Sequence, residues 1–391
     1  MNTHPTPNQP PFTRLILEHV LEIPPYVPGK PIEEVEREFG IKNAVKLASN
    51  ENPLGPSPKA LEAVRKALNG LHRYPDGSGI RVREALARRW NVDPDNVILG
   101  NGSDEIIELT MRIFMKPGGH LISPKPSFLM YEIAGRALGC EVTQVPLRDF
   151  TMDLEAMIDA VRDETRLLIL CQPNNPTGTS ARRQDFERFL ERAPRHVPVL
   201  LDEAYGDFIR DPEAFHGRDY LDGTPQLIIL RTFSKAYGLA GIRIGYGLAH
   251  RDLVACLNRV RPPFNTNSLA QAAALAALDD DDFLQETLKL TWKGLDFLGE
   301  SMDRLGFPWI PSQTNFMLIQ VGNGRSAYEH LLRKGIIVRP MDGYGLPDYI
   351  RVNTGRPEEN LRFVEGLKQT VQEGIVSPLR EPCLVGSSRG V

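Results

Sequence analysis

Short apolar runs recur along this chain between amphipathic stretches. The runs at Val97–Leu99, His120–Ile122, Glu141–Val145, Leu167–Leu170, Val197–Leu201, Leu227–Leu230 and Ile244–Leu248 have the length of buried strands. The segments Glu105–Phe114, Leu129–Leu138, Leu154–Val161 and Gln184–Arg192 repeat their apolar positions at helical spacing. Strands interleaved with helices predict an α/β unit around a mostly parallel seven-stranded sheet, with ligands beyond the carboxyl ends of the strands. After about Asn267 the pattern changes. An alanine-rich run, Leu269–Leu278, and a longer helical stretch, Asp282–Leu305, lead into a shorter α+β segment ending near Glu373. We therefore expect an N-terminal arm and part of a smaller domain over residues 1–45, a large α/β domain over 46–268, a small C-terminal domain over 269–376 and a flexible tail over 377–391. The opening Met1–Pro10 reads as a second tail.

Composition works mainly by exclusion. With 41% hydrophobic and 25% charged residues and a formal net charge of -4 over 391 residues, the chain has no basic surplus for nucleic acid and no acidic tail. No apolar run approaches the roughly 20 residues needed to span a bilayer, and the polar, proline-rich start has no signal-peptide core, so the cytoplasm is the expected location. Four scattered cysteines (Cys140, Cys171, Cys256, Cys383) without a CxxC pair suit reduced thiols, and eight histidines without HExxH give no support for a metal site.

The chemistry concentrates in Arg231-Thr232-Phe233-Ser234-Lys235-Ala236-Tyr237-Gly238-Leu239-Ala240-Gly241-Ile242-Arg243. A lysine among small residues, where a buried strand opens into a loop, can form a Schiff base with a carbonyl. The hydroxyls before it and the guanidinium after it can hold a phosphate. Pyridoxal 5'-phosphate needs both. In Leu200-Leu201-Asp202-Glu203-Ala204-Tyr205 a carboxylate follows a buried strand and needs a cationic partner, which a protonated pyridine nitrogen would be; a helix cap is the plainer alternative. Cys171-Gln172-Pro173-Asn174-Asn175-Pro176-Thr177-Gly178 presents an amide from a proline-locked turn, or is simply a turn. Gly100-Asn101-Gly102-Ser103-Asp104-Glu105 passes from strand to helix with backbone N–H groups free for a phosphate, but lacks the third glycine of a dinucleotide fingerprint. Phe128, after Pro126-Ser127, suits stacking on a ring, or belongs to the core.

Together and in this order, these clusters resemble the fold-type I pyridoxal-phosphate enzymes, specifically the class II aminotransferases, and most closely the histidinol-phosphate aminotransferase family. The likeness extends to Pro25-Tyr26-Val27-Pro28-Gly29-Lys30-Pro31, Lys46-Leu47-Ala48-Ser49-Asn50-Glu51-Asn52-Pro53-Leu54-Gly55, Arg73-Tyr74-Pro75-Asp76, Val338-Arg339-Pro340 and Ile350-Arg351-Val352. The resemblance implies that Lys235 bonds the cofactor and, once displaced, moves the proton between substrate and cofactor. It further implies that Asp202 pairs with the pyridinium nitrogen and that Asn175 and Tyr205 hydrogen-bond the phenolic oxygen. Phe128 stacks on the ring. The backbone at Ser103 and Asp104, with Thr232, Ser234 and Arg243, holds the phosphate. Tyr74 reaches the cofactor phosphate of a neighbouring subunit, so the expected assembly is a homodimer with a shared site.

Substrate contacts follow from the same resemblance: Arg351 grips the anionic group, Arg339 helps it, Tyr26 closes the pocket, and Asn50 lies beside the substrate. Two arginines suit the phosphate dianion of histidinol phosphate, and one of them would also take the carboxylate of glutamate. The implied reaction is a ping-pong transamination, histidinol phosphate and 2-oxoglutarate giving imidazole acetol phosphate and glutamate, a step of histidine biosynthesis. The competing readings are an aromatic amino-acid aminotransferase, a phosphothreonine decarboxylase and a non-enzymatic regulator binding the same cofactor. The regulator is disfavoured because the chain starts too close to its aminotransferase motifs to carry a DNA-binding domain ahead of them.

Overall fold

The computed structural model describes residues 11–380; residues 1–10 and 381–391, which include Cys383 and most of the two expected tails, lie outside the described residues. A first short strand, β1 (Val45–Lys46), precedes a seven-stranded sheet of β2 (Val97–Gly100), β3 (His120–Lys125), β4 (Glu141–Pro146), β5 (Thr165–Cys171), β6 (Val199–Asp202), β7 (Leu227–Thr232) and β8 (Gly245–Ala249). Their order is β2-β8-β7-β6-β5-β3-β4. The links from β4 through β3, β5 and β6 to β7 are parallel, and β8 runs antiparallel to both β7 and β2.

The runs are near-continuous, except in the edge strand β4, because both faces of the sheet are covered. Along β5, Leu168 and Leu170 enter one buried cluster while Leu167 and Ile169 enter the cluster on the opposite face, as the two-residue period of a strand requires. Register then levels the strand ends: Cys171 pairs with Asp202, and Asp202 with Leu230. The first polar residues after these runs consequently emerge side by side at the carboxyl edge.

A smaller sheet is built from β9 (Trp309–Ile310), β10 (Phe316–Gln320), β12 (Arg339–Pro340) and β13 (Tyr349–Asn353), antiparallel in the order β12-β13-β10-β9, while β11 (Ile336–Ile337) pairs in parallel with β1. The helix Asp281–Leu305 joins the two cores. Leu284 and Leu288 near its start pack into the core of the large sheet, and Leu295, Leu298 and Met302 into that of the small one. The alanine-rich helix Ser268–Leu278 lies against the helix Pro58–Ala67, and Ala270, Ala273, Ala274 and Ala277 join the large-sheet core. Small side chains permit that close approach. Among the described residues no helix is long and apolar enough to cross a membrane, and no group of three or more His, Cys, Asp or Glu stands where it could hold a metal ion.

Candidate active site

At the carboxyl edge of β5, β6 and β7 the chain encloses a cavity of about 150 Å³. Its walls bring together residues scattered over 140 positions of sequence: Ser103, Asp104 and Phe128 on one side, Asn175, Asp202 and Tyr205 in the middle, and Thr232, Ser234, Lys235 and Arg243 on the other. Among the residues read from sequence, these ten meet. A larger cleft, of about 1020 Å³, holds Tyr26 and Arg339 between the N-terminal segment and the smaller sheet. The donor set places the chemistry in the smaller space, although size alone would favour the cleft.

Lys235 lines the cavity and is partly buried. Burial first, and then the charge of Arg351, lower its amine to about 8 from an ordinary 10.5, so a neutral, nucleophilic amine is accessible near neutral pH. Its Nζ donates to the Ser49 carbonyl at 3.3 Å and lies 5.7 Å from the centroid of the Tyr205 ring. Asp202, 5% exposed, is perturbed in the opposite sense: burial pushes its carboxyl up to about 6. One oxygen accepts from the Ala204 backbone N–H at 2.9 Å, the turn-capping role considered above, and the other from the Tyr131 hydroxyl at 2.7 Å. Capping therefore occupies half of the carboxylate, and the group still lines the cavity. Such a buried anion suits a cation in the cavity.

The helix start beside Arg243 has a geometric signature. Gly102 adopts φ 80° just before the helix Ser103–Phe114, and a Cβ placed on it would lie 2.4 Å from Arg243 Nη2. Only glycine lets the guanidinium close over the helix start, where first-turn N–H groups have no partner within the helix. Arg243 donates to the Ala240 carbonyl at 3.1 Å and approaches Asp104 Oδ2 at 3.4 Å. Thr232 Oγ1 accepts from the Ser234 N–H at 3.1 Å, which folds both hydroxyl-bearing residues into one turn.

Tyr205 and Asn50 are joined, Asn50 Nδ2 donating to the Tyr205 hydroxyl at 2.8 Å, and burial raises the phenol. Asn50 sits at φ 55°, held by its own N–H to Asn353 Oδ1 at 3.1 Å and by Asn315 Nδ2 donating to its carbonyl at 3.0 Å. Arg351, 6% exposed, donates through Nη1 to Asn175 Oδ1 at 2.5 Å and through Nη2 to the Ala48 carbonyl at 2.9 Å. Its buried Nε and Asn50 Oδ1 have no hydrogen-bond partner among the described residues. Arg339 is the cross-strand neighbour of Arg351 in the β12–β13 register, so the two side chains share a face of the small sheet. It donates to the Val27 carbonyl at 2.7 Å and lies 5.8 Å over the Tyr26 ring.

Tyr74 is not brought to the cavity within this chain. It is 82% exposed and stacked on Phe264 with centroids 4.7 Å apart. Tyr131 was missed by the sequence reading. It packs edge-on to Phe128 at 5.6 Å, and the Phe128-x-x-Tyr131 spacing leading into the helix Met130–Ala137 was the available signal. Cys171 lines the cavity as an inert thiol, pushed up to about 12 by burial.

The donor set fits pyridoxal 5'-phosphate: one depressed amine for its carbonyl, one buried carboxylate for its ring nitrogen, and one helix start with hydroxyls and a guanidinium for its phosphate. Comparison with known proteins agrees. A family model described as aminotransferase class I and II matches residues 42–367. The chain is 47% identical to histidinol-phosphate aminotransferase 1 of Nitrosococcus oceani over 93% of its own length and 98% of the relative's. It is 48% identical to histidinol-phosphate aminotransferase 2 of Pseudomonas aeruginosa, over 91% and 97%. Among solved structures, histidinol-phosphate aminotransferase from Sinorhizobium meliloti in complex with pyridoxal-5'-phosphate superimposes with a TM-score of 0.83 at 28% identity, covering 91% of this chain and 98% of that one.

Proposed function

The chain belongs to the class I and II aminotransferase family and, within it, to the histidinol-phosphate aminotransferases, and we propose that it exchanges an amino group between histidinol phosphate and 2-oxoglutarate, giving imidazole acetol phosphate and glutamate in histidine biosynthesis. Pyridoxal 5'-phosphate supplies the electron sink for the carbon that loses its proton and carries the amino group between the two substrates. Lys235 would hold the cofactor through its carbonyl and would serve as the base at the substrate α-carbon; an amine lowered to about 8 suits both tasks. Asp202 holds the proton on the ring nitrogen, with its carboxylate oriented by Tyr131 and the Ala204 N–H. Asn175 and Tyr205 would bond the phenolic oxygen, and Phe128 would cover the ring. Ser103, Asp104, Thr232, Ser234 and Arg243 hold the phosphate.

Arg351 binds the anionic end of each substrate, beside Asn50, with Arg339 as the second cation and Tyr26 closing the cleft. The cross-strand pairing of Arg339 with Arg351 is the observation that carries the substrate assignment, because two guanidinium groups on one sheet face match a dianion better than a lone carboxylate. The assembly is a cytoplasmic homodimer. Tyr74 supports it, since an exposed tyrosine stacked on Phe264 beside exposed Leu71 is free to reach a neighbouring subunit's phosphate. Steady-state catalytic efficiency with histidinol phosphate, phenylalanine and phosphothreonine tests the assignment. It predicts a clear preference for histidinol phosphate with 2-oxoglutarate as acceptor. Preference for phenylalanine, or carbon dioxide released from phosphothreonine, would replace it.

A further inference from the structure

Next in sequence to the cavity-lining residues, but not among them, lies a buried charge cluster that the reaction as described does not use. Arg231, on β7, donates through Nη1 to Glu203 Oε2 at 2.9 Å and through Nη2 to Asp207 Oδ1 at 2.7 Å. The side chains of Arg231 and Glu203 are 3% and 1% exposed, and that of Asp207 16%. The other Glu203 oxygen accepts from the Gly217 N–H at 2.5 Å, and the guanidinium lies 4.5 Å over the Trp90 ring.

Buried ion pairs are poor sources of stability, because desolvation offsets most of the attraction; an apolar cluster of similar volume would serve the fold as well. What distinguishes this cluster is where its members sit. Glu203 directly follows Asp202, and Asp207 comes two residues after Tyr205. Arg231 directly precedes Thr232, and Lys235 follows four residues later. The β6–β7 ladder ends at the pairing of Asp202 with Leu230, closed by the Glu203 N–H to the Leu230 carbonyl at 2.9 Å. Past that point the two segments separate, and the Arg231 fork spans the gap. Its Nη1 also lies 3.0 Å from where a Cβ on Gly206 would stand, so the guanidinium supports the backbone next to Tyr205 directly.

We propose that Arg231, with Glu203 and Asp207, is a positioning device that fixes the turn carrying Asp202 and Tyr205 at a set distance from the turn carrying Thr232, Ser234 and Lys235. The inference rests on the transaminase reading of the cavity. It assigns the cluster to neither substrate nor cofactor contact: the fork holds the ring-nitrogen partner and the amine in register, so its loss is felt in the chemical step and in cofactor affinity rather than in substrate affinity. A lysine at 231 keeps the charge, but a single ammonium lacks the planar fork that meets two carboxylates.

The test compares Arg231→Lys with Arg231→Lys/Asp207→Asn, the second change removing the carboxylate that lysine leaves unpaired. Thermal unfolding, cofactor affinity by absorbance titration of the cofactor-free protein, and kcat and KM for histidinol phosphate are all measured. Arg231→Lys should lower kcat and cofactor affinity by about tenfold each while KM for histidinol phosphate stays within about twofold. Asp207→Asn in that background should restore thermal stability without restoring kcat. Recovery of kcat together with stability, or a wild-type kcat in Arg231→Lys, would overturn the proposal and leave the cluster as a structural filler. Should Arg231→Lys fail to fold, Asp207→Asn alone keeps the buried Arg231–Glu203 pair and should still lower kcat about threefold at unchanged KM; no change there overturns the idea equally. Because cofactor affinity and unfolding need no substrate, a wild-type protein inactive on histidinol phosphate would refute the function while leaving these readouts able to judge the device.

Discussion

The inner cavity and the outer cleft are held in place by different means. Inside, Asp202, Tyr205, Thr232, Ser234 and Asn175 are each between 4% and 7% exposed and leave strand ends whose register is set by the ladder. Outside, Tyr26 is 46% exposed, and Arg339 is tied by one hydrogen bond to the Val27 carbonyl. Burial disfavours charge in the cavity, which is why Lys235 and Asp202 are both displaced from their ordinary pKa values, whereas Tyr26 in the cleft is open to solvent. The difference separates what the enzyme does from what it does it to. Changes in the cavity should alter the chemistry for every substrate, and changes in the cleft should alter the choice among them.

The largest effect belongs to Lys235. Lys235→Ala should lower turnover by on the order of 10⁴-fold or more, since it removes both the covalent anchor and the proton carrier. Turnover assays and borohydride trapping check it: retained activity, or cofactor trapped on another lysine, would move the centre of the site elsewhere.

Asp202→Asn should lower kcat by roughly 10²- to 10³-fold for every amino donor. It also has a stability signature in the cofactor-free protein. The folded carboxyl titrates at about 6 against a reference of 3.8, so its contribution to stability is intact below pH 4 and is lost as pH rises through 6. The gap corresponds to at most about 3 kcal/mol. Cofactor-free Asp202→Asn should therefore match the wild type near pH 4 and be the more stable protein at pH 8. Denaturant unfolding at the two pH values reads the difference directly, and equal stability at pH 8 would mean that the carboxylate is not held against its charge.

At the two arginines the effects are smaller: Arg351, buried against the cavity residue Asn175, should act on every substrate, and Arg339, in the cleft, on the choice among them. Arg351→Ala should cost ten- to a hundredfold in kcat/KM for histidinol phosphate and glutamate alike, the loss of a charge-assisted contact to a shared anion site. Arg339→Ala should cost about three- to tenfold with histidinol phosphate and less with glutamate. Equal losses in Arg339→Ala would leave the phosphate without its second cation. Back in the cavity, Tyr131→Phe removes the 2.7 Å bond to Asp202 and should lower kcat by about twofold at unchanged KM.

Legibility in the sequence follows the same division. The seven apolar runs all became strands of one sheet; in every strand but the edge strand β4, near-continuous burial leaves a local signature that tertiary contacts only reinforce. Asp202 was visible because it ends such a run with a charge that burial penalises, and Lys235 and the Gly102-Ser103 turn because they sit in short motifs just past strand ends. What the sequence did not disclose are contacts between distant positions: the Asn50 amide on Tyr205, Tyr131 on Asp202, and the hold of Arg351 on Asn175. Arg231 lies inside the very motif that identified the lysine, yet its partners, 24 and 28 residues earlier, have no periodicity linking them to it. Hydrogen bonds across such separations are set by strand order, which local patterns do not encode.

The central claim is that the buried cavity passes an amino group from histidinol phosphate to the cofactor, and a half-reaction spectrum tests it most directly. Mixing the yellow, cofactor-loaded enzyme with histidinol phosphate in the absence of a keto acid should bleach the visible band stoichiometrically to the pyridoxamine form, and added 2-oxoglutarate should restore it. A visible band left unchanged by histidinol phosphate would contradict the account.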